Sequence, residues 1–116
     1  MTTRPARNVP KRGRPLDPAR LEELALAYVA RFATTRAKLE GYLARKLRER
    51  GWDGEGEPPV AALAARFADA GYVDDRAWAA SKSRGLLQRG YGARRIAQAL
   101  AHAGVGEDDR DAVAVS

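Results

Sequence analysis

The sequence contains no cysteine and only one histidine, His102, among its 116 residues. The lack of cysteine excludes disulfide bonds, thiolate nucleophiles and cysteine-ligated zinc. Any catalysis would therefore have to rest on carboxylates, and the adjacent pair Asp74 and Asp75 stands where a helix needs a capping residue. We accordingly expect no metal, no cofactor and no enzymatic activity, and we set aside a small hydrolase or metalloenzyme.

Long apolar runs are missing as well. There is no stretch of about 18 apolar residues and no signal peptide at the start, so we expect a soluble, cytoplasmic protein with no membrane contact. A chain of this length fits one small domain or a few very small repeats. Its net charge of +6 and its sequence pI near 10.2 favour nucleic acid as a partner.

Acidic residues are absent from the stretch between Arg76 and Val105. The cations in this stretch are Arg76, Lys82, Arg84, Arg89, Arg94 and Arg95. One charge sign over such a length indicates a polyanion or an acidic protein as the partner. The alternative is a helix face that is simply solvated.

The first residues, 1–16, carry five cations and no acid, and they include three prolines but almost no large apolar side chains. Such a segment buries too little surface to offset its ordering entropy, so we predict a disordered basic arm. Within it, Arg12, Gly13 and Arg14 resemble the core of an AT-hook, which lies in a narrow A·T minor groove. A nonspecific electrostatic tether or a solubilising tail is the alternative.

Helical spacing of apolar residues begins after the arm. Asp17 can cap helix one, with Pro18 at the first helical position. Its apolar stripe consists of Leu21, Leu24, Tyr28 and Phe32. Thr34 or Thr35 can cap helix two, which ends at Gly51. Its apolar positions are Leu39, Leu43 and Leu47, and those of helix three are Val60, Leu63, Ala64 and Phe67.

Capping residues and glycines also mark the helix ends in the second half of the sequence. Asp74 or Asp75 can cap helix four, which stops at Gly90, and helix five runs from near Gly92 to Gly104. The apolar positions are Trp78, Leu86 and Leu87 in helix four and Ile96 and Leu100 in helix five. An acid-rich start at 107–111 predicts a short, truncated helix six. No segment alternates with period two, so we predict an all-α protein.

The two halves resemble each other. Leu39 and Leu43 correspond to Ile96 and Leu100, and Gly51-Trp52 corresponds to Gly104-Val105 after removal of about one helical turn. This weak similarity predicts tandem three-helix repeats over 17–73 and 74–116 that complete their core by stacking into an elongated, slightly curved molecule. Chance matching among alanine-rich helices is the alternative.

Three sequence motifs, in this order and spacing, resemble the RecX family of RecA regulators. They are Ala27-Tyr28-Val29-Ala30-Arg31 with Arg36-Ala37-Lys38-Leu39, then Gly71-Tyr72-Val73-Asp74-Asp75-Arg76-Ala77-Trp78-Ala79, and Gly90-Tyr91-Gly92-Ala93-Arg94-Arg95-Ile96. The resemblance covers roughly 24–105. It implies tandem three-helix repeats that lodge in the groove of the RecA filament on single-stranded DNA and inhibit or modulate recombination, ATPase and coprotease activity. That role belongs to DNA repair and the SOS response.

The resemblance also implies a third repeat, which this sequence lacks, so we expect either a fragment or a shortened member. As partners we expect the RecA filament and, through weak salt-dependent contacts, the backbone of single- and double-stranded DNA. We expect the protein itself to be a monomer. The competing hypothesis is a DNA-binding regulator in which helices four and five form a helix-turn-helix, with the arm in the adjacent minor groove.

The residues predicted to contact the partner are cations on three helices and one tyrosine. They are Arg94, Arg95, Arg89, Arg84, Lys82, Arg45, Lys46, Arg48 and Tyr91. Cations in the first turn of a helix oppose its dipole, which favours a functional role for the Arg94 and Arg95 pair. In the alternative, one of the two arginines covers an aromatic ring and the other is solvated. Tyr91 itself is expected to wedge between packed helices more readily than to stack on a base.

Overall fold

The computed structural model describes residues 13–114, and these form six α-helices joined by short connections. The helices are α1 (Pro18–Arg31), α2 (Arg36–Arg50), α3 (Val60–Asp69), α4 (Asp75–Gln88), α5 (Ala93–His102) and α6 (Glu107–Val113). Among the described residues the extended pairing is limited to one parallel bridge between Leu16 and Trp52. The prediction of an all-α protein is confirmed.

Side-chain caps begin three of the helices as the sequence predicts. The carboxylate of Asp17 accepts from the Arg20 N–H at 2.9 Å, and the carboxylate of Asp74 accepts from the Ala77 N–H at 3.0 Å. Thr35 rather than Thr34 caps α2, because its Oγ accepts from the Lys38 N–H at 3.1 Å. Each cap satisfies a backbone donor that has no partner inside its helix.

The apolar side chains of α1, α2 and α3, which we call the first unit, enclose one core. Its buried members are Leu16, Leu21, Ala25, Leu39, Leu43, Leu63, Ala64, Phe67 and Val73. Tyr28 and Tyr42 stack beside this core with ring centroids 4.2 Å apart. Phe32 was predicted to extend the stripe of α1, but it is 50% exposed because it lies at the C-cap, beyond the last helical turn.

Leu16 corrects the predicted boundary of the basic arm. Its side chain is fully buried, its N–H donates to the Gly51 carbonyl at 2.9 Å, and its carbonyl accepts from the Asp53 N–H at 2.7 Å. One leucine thus ties the chain before α1 to the end of α2. Residues 1–12, including Arg12, lie outside the described residues, so the predicted disorder of the arm stays a prediction.

Helices α4, α5 and α6 form the second unit, which has a smaller core. The buried apolar members of its cluster are Ala79, Leu86, Ile96, Leu100 and Val105. The Oγ of Ser83 is also buried and has no hydrogen-bond partner among residues 13–114. Leu87, which was grouped with the apolar positions of helix four, is 45% exposed and lines an apolar pocket of about 250 Å³ between α4, α5 and α6.

The two units meet where α2 and α4 begin, a region that we call the joint. The Oγ of Thr35 donates to the Ala103 carbonyl at 2.8 Å, and the carboxylate of Asp75 accepts from the Arg36 N–H at 2.8 Å. Gly104, with φ of 88°, lies so close to Ala37 that a Cβ at position 104 would overlap the Cβ of Ala37. A glycine is required there for both reasons.

The resulting molecule is elongated, with principal-axis extents of 66 × 27 × 22 Å. Gly51 and Gly104, which correspond in the sequence comparison of the two halves, both have φ of 88° and both follow the second helix of their unit. The predicted tandem arrangement is confirmed, and its slight curvature stays a prediction. No helix within residues 13–114 is long and apolar enough to span a membrane.

Candidate basic interface

Helix α5 has one apolar face and one basic face. Ile96 and Leu100 are buried against the second unit, whereas Arg94 and Arg95 are exposed. At about 100° per residue, these two arginines and Gln98 project from the side opposite the buried pair. Gly92 begins the helix without a side-chain cap, and the helix has no acid in its first turn. The positive charges therefore face the positive end of the helix dipole without local compensation.

The two arginines of α5 differ in what they touch. The guanidinium of Arg95 lies over the ring of Tyr91, with its Cζ 4.8 Å from the ring centroid. Tyr91 is 38% exposed, so the expectation that it wedges between packed helices is wrong. Its position in the turn before α5 keeps the ring at the surface, where Arg95 covers it. This contact matches the alternative for one arginine, while Arg94 remains exposed.

The cations of α4 divide between two sides of the helix. Lys82 and Arg89 are seven residues apart, two helical turns, and share a face with Trp78. Arg84 is two residues from Lys82 and therefore projects about 200° away around the axis. All three cations are exposed. The structure thus brings Lys82 and Arg89 together and separates Arg84 from them.

The cations predicted on α2 are partly neutralised by their own helix. Arg45 and Lys46 lie 3.8 and 3.4 Å from the carboxylate of Glu49, and both also lie over the ring of Tyr42. Arg48 is exposed. Pairs of this kind on a helix surface are weak and leave the side chains free to exchange partners. Four other cations of α2 have no carboxylate within 4.0 Å among the described residues, namely Arg36, Lys38, Arg48 and Arg50.

Most of the predicted contact residues are outside the ion pairs of the described residues. Within residues 13–114, several predicted contact residues have no carboxylate within 4.0 Å. These residues are Arg48, Lys82, Arg84, Arg89, Arg94 and Arg95. Arg76, the first cation of the acid-free stretch, is instead paired with Asp109 of α6 at 3.0 Å. Five of the six cations in that stretch therefore remain available to an external anion.

The joint adds a cation that the sequence reasoning left out. The Nζ of Lys38, on α2, lies 5.0 Å from the ring centroid of Trp78, on α4. Lys38 is seven residues before Arg45, and Trp78 is four residues before Lys82, so each belongs to a cationic face of its own helix. The two faces meet at this contact. The seven-residue spacing from Lys38 to Arg45 is a signal that could have identified Lys38 beforehand.

Two residues of the proposed minor-groove segment are described. The guanidinium of Arg50 lies against Gly13, and its Nε donates to the Arg14 carbonyl at 3.0 Å. This bond uses the backbone of Arg14 and leaves its side chain exposed. Arg12, the remaining residue of the segment, lies outside the described residues. Minor-groove binding stays a prediction.

Comparison with protein families identifies the second unit. Residues 74–113 match the model of the second three-helix domain of RecX, which is the part of the chain that contains α4, α5 and α6. The match ends within one residue of the described part of this unit. It includes the whole acid-free stretch from Arg76 to Val105 and the two aspartates that precede it.

Individual relatives extend the similarity into the first unit. Regulatory protein RecX of Myxococcus xanthus (strain DK1622) is 37% identical over 101 residues, which cover 83% of this chain and 54% of that protein. Regulatory protein RecX of Mycobacterium sp. (strain KMS) is 41% identical over 88 residues, which cover 75% of this chain and 46% of that protein. The chain spans about half the length of these curated relatives. No solved structure matches.

Proposed function

The chain belongs to the RecX family, and we propose that it is a non-enzymatic regulator that binds the RecA filament on single-stranded DNA. Binding restrains the recombinase, ATPase and coprotease activities of RecA. The observation that carries this proposal is the set of cations on α4 and α5 that have no carboxylate within 4.0 Å in the described part of the chain.

The shape and charge of the molecule suit contact along a filament. The molecule is 66 Å long and 22 to 27 Å across, and it has exposed cations on α2, α4 and α5. Arg94 is exposed at the start of α5, where its fork can bind a carboxylate or phosphate with two parallel hydrogen bonds. We infer that the protein acts as a monomer and contacts both acidic side chains of RecA and the DNA backbone.

The test is RecA-catalysed ATP hydrolysis on single-stranded DNA with increasing amounts of this protein. We expect inhibition at amounts stoichiometric with the filament. Inhibition should weaken as salt is raised, because each phosphate or carboxylate contact made by a cation is screened. Unchanged hydrolysis at several-fold excess over RecA would remove the proposal. RecA without DNA supplies the baseline hydrolysis rate.

A second candidate function is sequence-selective binding to duplex DNA. It is favoured by the short turn that joins α4 and α5 and by the exposed group of Arg94, Arg95 and Gln98 on the outer face of α5. Arginine and glutamine are the side chains that read guanine and adenine edges in a major groove. Competition between candidate duplexes and random DNA at fixed salt distinguishes the two functions, because a filament regulator has little sequence preference.

A further inference from the structure

A cleft of about 360 Å³ opens at the joint, between the connection that precedes α2, the connection that precedes α4 and the outer side of α4. Its walls include Thr34, Tyr72, Asp74, Ala77, Trp78 and Lys82. None of the residues proposed above as partner contacts lines it except Lys82. The cleft is therefore a separate candidate binding site.

Two aromatic side chains line the cleft. Tyr72 is 57% exposed, the highest exposure among the large hydrophobic residues of the described chain. Its ring is held by a tilted contact with Phe67, at 5.3 Å between centroids, so it is anchored to the first core while remaining open to solvent. Trp78 is half-buried and is held from the α2 side by Lys38. Both rings are positioned before any ligand arrives.

Two cations, Lys82 and Lys38, and one carboxylate, that of Asp74, lie at or beside the cleft. Lys82 is exposed at its edge, with no carboxylate within 4.0 Å among the described residues. The one carboxylate of the lining belongs to Asp74, and it is engaged with the N–H of Ala77 at the start of α4. Lys38 lies nearby on Trp78. A ligand for this site should thus combine a flat apolar surface with a negative charge.

We propose that this cleft binds an unpaired nucleobase of single-stranded nucleic acid. The base stacks against Tyr72 or Trp78, and an adjacent phosphate meets Lys82. Every base has an aromatic face, so such a site tolerates any sequence. The proposal goes beyond the RecA-directed function because the binding requires no RecA. A duplex is excluded from the cleft because its bases are already paired and stacked.

The chemistry favours a nucleotide over a protein side chain. An acidic side chain has the charge but no ring, whereas an aromatic side chain has the ring but no charge. A nucleotide supplies both within one residue. Unpaired bases stacked on aromatic side chains, with cations at the backbone, are the recurring arrangement of sequence-independent single-strand binding. A RecA side chain is the competing occupant of the cleft, and binding to DNA-free RecA distinguishes it from a nucleotide.

The experiment uses the intrinsic fluorescence of the protein without RecA. The sequence has two tryptophans, so Trp52→Phe leaves Trp78 as the sole reporter inside the cleft. We expect oligothymidylate to quench Trp78, and an abasic oligomer of equal length to quench it much less. Trp52 packs against the first core and donates its Nε1–H to the Gly56 carbonyl at 3.0 Å. In the matched Trp78→Phe variant, this remaining reporter should respond to neither oligomer.

Binding measured by anisotropy of a labelled oligothymidylate then tests the ring and the charge separately. Tyr72→Ala should weaken binding about tenfold, because it removes one stacking contact. Tyr72→Phe keeps the ring and should bind normally. Lys82→Ala should lower the slope of log affinity against log salt by about 0.7. Arg66→Ala removes a cation that is paired with Glu22 on the first unit, and should leave the slope unchanged.

A second route avoids dependence on Tyr72 for folding. Ala77 is exposed on α4 and lines the cleft, so Ala77→Leu fills the space without disturbing a core. We expect it to remove the preference for oligothymidylate over the abasic oligomer. Equal affinity of the unmodified protein for the two oligomers would overturn the proposal. It would also be overturned if Tyr72→Ala and Ala77→Leu bound oligothymidylate normally but failed to bind DNA-free RecA, since the cleft would then hold a protein side chain.

Discussion

The first and second units have the same order of three helices but distribute their residues differently. The first unit buries nine apolar residues and adds a stacked pair of tyrosines, Tyr28 and Tyr42. The second buries six, opens an apolar pocket and gives the Oγ of Ser83 no hydrogen-bond partner within the described residues. Conversely, α2 pairs two of its six cations with Glu49, whereas the cations of α4 that follow Arg76 and those of α5 all have no carboxylate within 4.0 Å among the described residues.

This difference indicates that the two units contribute differently to stability and to partner binding. Buried apolar area is the main favourable term in folding, so the first unit supplies most of the stability. The second unit has a smaller core and places six cations between Arg76 and Val105 with no acid among them, an arrangement that suits an external anion. Because Thr35 and Asp75 bond across the joint, the weaker unit is held by the stronger one. Substitutions in each unit test this difference, and their expected effects on the free energy of unfolding range from large to small.

Truncation of one leucine in each core should give the largest effect and the clearest contrast. Leu43→Ala removes a fully buried side chain of the first unit and should cost about 4 kcal/mol. Leu100→Ala should cost only about 2 kcal/mol, because Leu100 already lines the pocket of the second unit, so less new cavity is created. Urea denaturation followed by circular dichroism measures both. Equal losses would contradict the proposed difference between the cores.

Loss of the hydroxyl at the joint should come next. Thr35→Ala removes both the cap of α2 and the bond to the Ala103 carbonyl, and should cost about 2 kcal/mol. Thr35→Ser keeps the oxygen and serves as the control. Hydrogen exchange should show the increased opening mainly in the second unit. If exchange rose only in the first unit, the second would not depend on the joint for its stability.

Removal of the unsatisfied hydroxyl should have a smaller effect of opposite sign. Ser83→Ala deletes a buried oxygen that has no partner, and should raise the free energy of unfolding by about 1 kcal/mol. The hydroxyl of Thr35 is likewise buried but is fully bonded, which makes Thr35→Ala the matched comparison. Thermal unfolding of the two variants should shift in opposite directions. A destabilised Ser83→Ala protein would show that the hydroxyl has a partner in solution.

The smallest change in stability should accompany a large change in function. Arg94→Ala with Arg95→Ala relieves an unfavourable dipole interaction but loses the contact with Tyr91, so the melting temperature should stay nearly constant. Inhibition of RecA-catalysed ATP hydrolysis should fall severalfold. Arg45→Ala with Lys46→Ala removes the same charge from the first unit and should reduce inhibition less, since Glu49 already neutralises part of it. Equal losses would show that both units contribute alike.

The fold could be predicted from this sequence because its helix boundaries are marked by local chemistry. Caps such as Asp17 and Asp74 and glycines such as Gly51 and Gly104 act over a few residues, so their role is visible without tertiary information. The misplaced residues are those whose burial depends on distant partners. Leu16 is one example, because its hydrogen bonds to Gly51 and Asp53 cannot be inferred from a basic, proline-rich segment.

The candidate interface was less accessible to sequence reasoning for the same reason. The sequence shows that Lys82, Arg84 and Arg89 are cations, and helical geometry then separates Arg84 from the other two. It does not show that Lys38 reaches Trp78 across the joint, because that contact links two different helices. The cleft formed there joins residues from three segments, and no single motif contains them.

The close approach of Gly104 to Ala37 has a consequence for how far such a protein can vary. Because the methyl group of Ala37 meets the bare main chain of Gly104 there, the spacing between the two units depends on the absence of a side chain at position 104. Surface residues of either unit can then change charge without altering the orientation of one unit relative to the other. A methyl group at position 104 would push the two units apart and change the orientation of the residues that follow.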